Sequence, residues 1–212
     1  ASLLSPSEPV DKARVVLDAA SRVFLEHGFG AATTDMIQRE AGVSKSTVYA
    51  HYPNKDALFV AAIERECEAM TAHFQAMEPH GEGLRERLID LGLAYLGIVL
   101  SPRGLALYRV VAAEAPRVPQ VGERFHDLGP KVVNQVMVRH LARAVEQGEL
   151  DVQAVGLSPA AALFVGLLRG EGHLECIAYP QAQPSGARLA QWAEQAVTVF
   201  LRAFGRGSGT PG

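Results

Sequence analysis

Apolar residues recur three and four positions apart along almost the whole chain, and no stretch alternates apolar with polar residues between hairpin turns. A period near 3.6 belongs to helices with one buried face, whereas half-buried strands need a period of two. The chain therefore reads as all-α. From Val10 to about His27 the positions Ala13, Val16, Leu17, Ala20, Val23 and Phe24 share a face, and Gly28 ends that helix. Thr33 caps a short helix to about Ala41 with Asp35 in its first turn, Gly42 turns the chain, Ser44 caps the next helix, and Pro53 ends it. Asn54 caps a long helix to about Met77. Further helices are expected from about Gly83 to Leu100, from Ser101-Pro102 to about Ala115, over about Gln120 to Leu128, from Gly129-Pro130 to Gly148, and from Ser158-Pro159 to about Ala178. A final helix carries Leu189, Trp192, Ala196, Val199 and Phe200, and no repeat of fixed period is found.

These elements divide the 212 residues into a tail over 1–9, a three-helix helix-turn-helix domain over 10–55, a larger helical bundle over 56–204 and a glycine-rich tail over 205–212, both tails expected to be disordered. The net charge of -3 gives no global basic field, so a nucleic-acid contact must come from local placement of groups. Between Gln38 and Lys55 three basic residues (Arg39, Lys45, Lys55) face one acidic residue, Glu40, which is a mild bias only. The two cysteines, Cys67 and Cys176, sit inside apolar helical patterns and read as buried thiols in a reducing compartment. The apolar stretch Leu91 to Leu100 is too short to span a bilayer, and the one from Ala154 to Leu168 is interrupted by a helix start at Ser158-Pro159. Residues Ala1 to Val10 lack a basic segment followed by an apolar one, so a soluble, cytoplasmic protein is expected.

The informative stretch runs from Thr33 to Lys55. Two short helices joined by a glycine-containing turn are what a helix-turn-helix requires. Ile37, Ala41, Val43 and Val48 can form the apolar seam between them, leaving Lys45, Ser46, Thr47, Tyr49, Ala50 and His51 exposed on the second helix. Short polar and aromatic donors of this kind reach phosphates and base edges at small entropic cost, and helix N-termini offer amides to phosphate. Turn and spacing alone fit equally an ordinary helical hairpin with a solvated face.

The ordered set Gly28, Phe29, Thr33, Thr34, Ala41-Gly42-Val43-Ser44, Thr47-Val48-Tyr49-Ala50-His51-Tyr52 and Asn54-Lys55-Asp56-Ala57-Leu58 resembles the DNA-binding domain of the TetR family of regulators over residues 10–59. The resemblance implies base and backbone contacts from Ser44, Lys45, Ser46, Thr47 and Tyr49, phosphate contacts from Thr33, Thr34, His51 and Lys55, and core positions for Val48 and Tyr52. Ser46 stands where the family often has glycine. Asp35 stands where some members place a basic base-reader, and a carboxylate cannot donate to guanine. From about Leu84 to Leu168, the Ser101-Pro102-Arg103 start, the Glu114-to-Pro119 break, Gly129-Pro130, the Gln147-Gly148-Glu149-Leu150 end and the Pro159–Leu168 helix are similar to the AefR-like group of regulatory domains.

A ligand pocket inside a helical bundle is mostly apolar with a few converging polar groups, and Tyr95, Tyr108, Phe125, Met137, Phe164 and His173 are candidates, each of which also fits plain core packing. In Glu171-Gly172-His173-Leu174-Glu175 the two carboxylates share a helical face and His173 points away, so no metal site is expected. No nucleophile elbow or phosphate loop occurs, so no enzyme and no cofactor are expected. The last two helices alternate small and large apolar residues, which suits either a homodimer interface or internal core. The reading is a ligand-responsive repressor, a homodimer on palindromic double-stranded operator DNA, released by a small hydrophobic or amphipathic effector. The alternative is an effector-independent DNA-binding dimer controlled by a protein partner.

Overall fold

The computed structural model describes residues 11–206, and the tail expected over 1–9 and all but two residues of the C-terminal tail lie outside them. Ten helices occur among the described residues: α1 (Lys12–Ala31), α2 (Thr34–Ala41), α3 (Lys45–His51), α4 (Lys55–Ala76), α5 (Leu84–Val99), α6 (Pro102–Glu114), α7 (Pro119–Leu128), α8 (Pro130–Glu146), α9 (Leu157–Ala178) and α10 (Gly186–Phe204). Local chemistry accounts for most starts. The Asp11 carboxylate accepts from the amides of Ala13 (3.1 Å) and Arg14 (3.4 Å), Asn54 accepts from the amide of Ala57 (2.8 Å), and Ser101 accepts from the amide of Gly104 (2.9 Å). No single described helix is long and apolar enough to cross a membrane.

Four local expectations are corrected. Gly28 interrupts α1 (φ 75, ψ 169) rather than ending it, and one more turn runs to Ala31. α9 begins at Leu157, because the Gly156 carbonyl already accepts from Ala160; Ser158 instead accepts from the Asn134 amide group at 3.0 Å. α9 also bends at Gly170 (φ 45, ψ -156). Gly205 and Arg206, expected in the tail, are held. The Phe204 carbonyl accepts from the amide of Asp151 (2.8 Å), the amide of Arg206 donates to Glu149 (2.9 Å), and Arg206 pairs with Asp151 at 3.2 Å.

The described residues form two compact units, one holding residues 11–67 together with Ala106–Phe125, the other Glu68–Leu105 and residues 126–206. In the first unit residues distant in sequence engage one another. Phe24 and Phe59 meet edge to face with centroids 4.9 Å apart, Ser21 donates to the Ala62 carbonyl (3.4 Å), and Arg65 pairs with Asp18 (2.7 Å), locking α1 to α4. Arg117 lies 4.2 Å over the Phe29 ring and pairs with Asp56 (3.1 Å) and Glu114 (3.2 Å), and Arg124 pairs with Glu64. The second unit has its own core, with Leu91, Leu96, Met137, Phe164 and Phe200 all buried and the last two rings 5.0 Å apart. Each such side chain contributes about 1.5–3 kcal/mol by leaving water.

Candidate nucleic-acid interface

The hinge of the site is the turn between α2 and α3. Gly42 takes the left-handed conformation (φ 66, ψ 31), and the amides of Gly42 and Val43 close back onto Arg39 and Gln38. A side chain there would cost about 1–2 kcal/mol, so glycine sets the angle at which α3 leaves. Ile37 of α2 and Val48 of α3 are fully buried, and both helices pack against α1. An ion pair from Arg22 to Glu40 at 2.7 Å adds a second tie between α1 and α2. With Val48 inward, helical geometry turns the opposite face of α3 to solvent.

Lys45, Ser46, Tyr49, Ala50 and His51 are exposed, with Ser46 and Ala50 opposite Val48 and Lys45 and His51 at the two ends of the short helix. Thr47 is half-buried rather than exposed, because its hydroxyl turns back to the cap: Ser44 Oγ accepts from the Thr47 amide (3.2 Å) and lies 2.8 Å from the hydroxyls of both Ser46 and Thr47. Thr33 caps α2 by accepting from the Met36 amide (3.1 Å). Two contacts strap the exposed face of α3 to the first turn of α2. Thr34 Oγ1 lies 3.3 Å from the Tyr49 hydroxyl, and Lys45 Nζ lies 3.1 Å from Asp35 Oδ1. The hydrogen bond and charge of Asp35 hold the Lys45 ammonium above its ordinary pKa of 10.5. Lys55 lies at the start of α4 with its ammonium 4.3 Å over the Phe29 ring. Tyr52, expected in the core, is half-buried; burial raises its phenol pKa, Asp11 adds to this, and Arg65 opposes it.

The six pocket candidates are divided between the two units. Tyr108 and Phe125 belong to the first unit, where their rings meet edge to face at 6.2 Å. Tyr95, Met137, Phe164 and His173 are buried in the second. An open groove of ≈ 530 Å³ beside Trp192 is lined by Glu171, Leu174, Glu175, Tyr179 and Arg188, none of them a candidate. Arg169, which nothing in the local sequence pattern marks, joins His173 in the second unit. Its guanidinium donates to His173 Nδ1 at 3.0 Å. Because arginine only donates, His173 is neutral with its proton on Nε2. Burial first, and the Arg169 charge second, push the His173 pKa down to about 4. Tyr95, next to the same charge, is pushed up to about 12 by burial.

Residues 86–206 match the AefR-like transcriptional repressor C-terminal domain, and residues 16–62 match the bacterial regulatory proteins of the tetR family. The chain belongs to the TetR family of transcriptional regulators. Its TetR-family relative SrpR of Pseudomonas putida is 30% identical over 174 residues, 73% of this chain and 70% of that protein. The transcriptional repressor Rv1474c of Mycobacterium tuberculosis is 37% identical over 59 residues, and the chain there spans only 32% of that protein's length. Among solved structures, a TetR-family regulator from Mesorhizobium loti has a TM-score of 0.80 at 22% identity, covering 94% of this chain and 100% of that one. The flavonoid-responsive regulator FrrA has a TM-score of 0.74 at 31% identity, covering 93% and 98%. TetR-family proteins are DNA-binding regulators of transcription and not enzymes, and the exposed hydroxyls and ammonium of α3 suit that work.

Proposed function

We propose that this TetR-family regulator is a homodimeric repressor that a small-molecule effector releases from a palindromic operator. The observation that carries the reading is the outward set Lys45, Ser46, Tyr49 and His51 on a helix whose Val48 is fully buried, ahead of a glycine-set turn. Two such heads reach successive major-groove half-sites at roughly 34–36 Å spacing, and a two-fold protein reads an inverted repeat. In this reading Ser44, Ser46, Thr47, Lys45 and Tyr49 meet bases and backbone, and Thr33, Thr34, His51 and Lys55 meet phosphates. Support for the dimer comes from Leu163, Leu167, Leu174 and Tyr179 of the α9 region and Val199 of α10, large apolar side chains left exposed on one protomer.

For the effector, Tyr95, Arg169 and His173 offer a hydroxyl, a cation and a neutral imidazole among the buried aromatics Phe74 and Phe164. A planar aromatic with acidic hydroxyls fits that chemistry, and the flavonoid response of FrrA points to the same class. Helix α4 carries both Lys55 at its start and the buried Phe74 near its end, which makes it the natural lever. The effector weakens operator binding by the ratio of its affinities for the two head spacings.

Selection of genomic fragments by the purified protein is the test, followed by thermal shift and operator release with a flavonoid panel. The expected result is enrichment of an inverted repeat, and one compound class that raises Tm and weakens operator binding together. An operator that no compound releases supports the effector-independent dimer instead, and no enrichment at low salt overturns the operator reading.

A further inference from the structure

Asp35 and Lys45 form an ion pair on the surface that carries the DNA-facing side chains, with Oδ1 and Nζ 3.1 Å apart and side chains 60% and 53% exposed. Such a pair in water contributes little to stability. Its place is what matters. Asp35 lies in the first turn of α2 and Lys45 opens α3, so the pair bridges the two helices where the recognition face begins. A carboxylate beside a phosphate-lined groove is unfavourable for affinity, because it cancels the charge that Lys45 would otherwise lend to counterion release.

Resting on the operator-binding reading above, we infer that Asp35 and Lys45 act together as a base-reading unit specific for a G·C pair. The unit presents a cationic donor and an anionic acceptor at hydrogen-bond separation. In the major groove a G·C pair offers the matching order: acceptors N7 and O6 on guanine, then the N4 amino donor on cytosine. Lys45 keeps N–H groups for guanine O6 and N7 while one is held by Asp35, and the carboxylate's remaining lone pairs accept from the cytosine amino group. An A·T pair sets the thymine O4 acceptor where the carboxylate would lie, and two acceptors repel. The second strap, Thr34 to Tyr49, keeps α3 from rolling away from α2 and so keeps the pair in register.

The test is selection of a randomised duplex library by the native protein and by Asp35→Ala, Asp35→Asn, Lys45→Ala and the Asp35→Ala/Lys45→Ala double variant. Affinity for the selected and for a random duplex is measured between about 50 and 200 mM salt. The native protein is expected to require G·C at one symmetry-related pair of positions. Asp35→Ala lowers that preference about tenfold and steepens the log–log salt dependence by about one. Asp35→Asn, which keeps the side chain's shape in the first turn of α2, moves the preference toward adenine, and it decides the matter if the alanine variant fails to fold. In the double variant the base profile at that position equals that of Lys45→Ala. An Asp35→Ala protein that binds all duplexes more tightly with an unchanged base profile overturns the inference, since Asp35 is then a repulsive charge and nothing more. An unchanged salt slope overturns it as well. A native protein that selects no sequence at all defeats the operator reading itself, which is a separate and recognisable result.

Discussion

Two side chains, Ile37 and His173, show how single residues set the properties of each unit. Ile37 is fully buried beneath α2, so Ile37→Ala leaves a cavity as well as losing transfer energy, and is expected to destabilise the first unit by about 2–5 kcal/mol. Chemical denaturation followed by helical circular dichroism measures this. His173 responds to pH. Its folded pKa of about 4 lies below the ordinary 6.5, so the unfolded chain binds the additional proton between those values. Stability from this group is therefore complete above about pH 6.5, falls as the pH drops through the window, and levels off below about 4. His140, also buried and shifted down, first by burial and then by Arg139, acts in the same direction. Denaturation midpoints at pH 7, 6 and 5 should fall for the native protein and fall less for His173→Gln.

Most ends marked by proline, glycine or a short hydroxyl or amide side chain were legible, since a cap acts within three or four residues of itself, while Gly28 and Ser158-Pro159 misplaced theirs by a few residues. Ser44, Asn54, Ser101 and Ser185 each accept a hydrogen bond from the amide three residues on. The inward side of α3 was legible too, Val48 being the one branched aliphatic residue between Lys45 and His51. The bend in α9 was not. Gly166, Gly170 and Gly172 look alike in sequence, and only Gly170 takes a conformation essentially restricted to glycine. Nothing lies within 4 Å of a Cβ built there, so the cost of Gly170→Ala is backbone strain alone, about 1–3 kcal/mol. The expected outcome is a lower Tm, or a straightened α9 visible in a crystal structure. The pairings of Arg117 and Arg124 were equally hidden, because their partners Phe29, Asp56 and Glu64 lie in a different part of the chain and no local period relates them.

For the whole molecule, the proposed dimer rests on the large apolar side chains that α9 leaves exposed. Leu163 and Leu167, four residues apart, share one side of α9 ahead of its break at Gly170, Leu174 lies beyond the break, and all three are exposed. In the proposed dimer a carboxylate at Leu163 or Leu174 would be stranded in the subunit contact. Leu163→Glu and Leu174→Glu are each expected to raise the dimer dissociation constant roughly a hundredfold or more, as read by analytical ultracentrifugation. Affinity for a full inverted repeat should collapse while that for a single half-site stays the same. The grip of Arg117 on Phe29 and Asp56 carries a lesson for anyone who would transplant this head onto a foreign sensor. The reading module is not a contiguous cassette: a graft cut at Cys67 leaves Phe29 with one cation instead of two and Glu64 without Arg124, so a working chimera must bring residues 106–125 along with it.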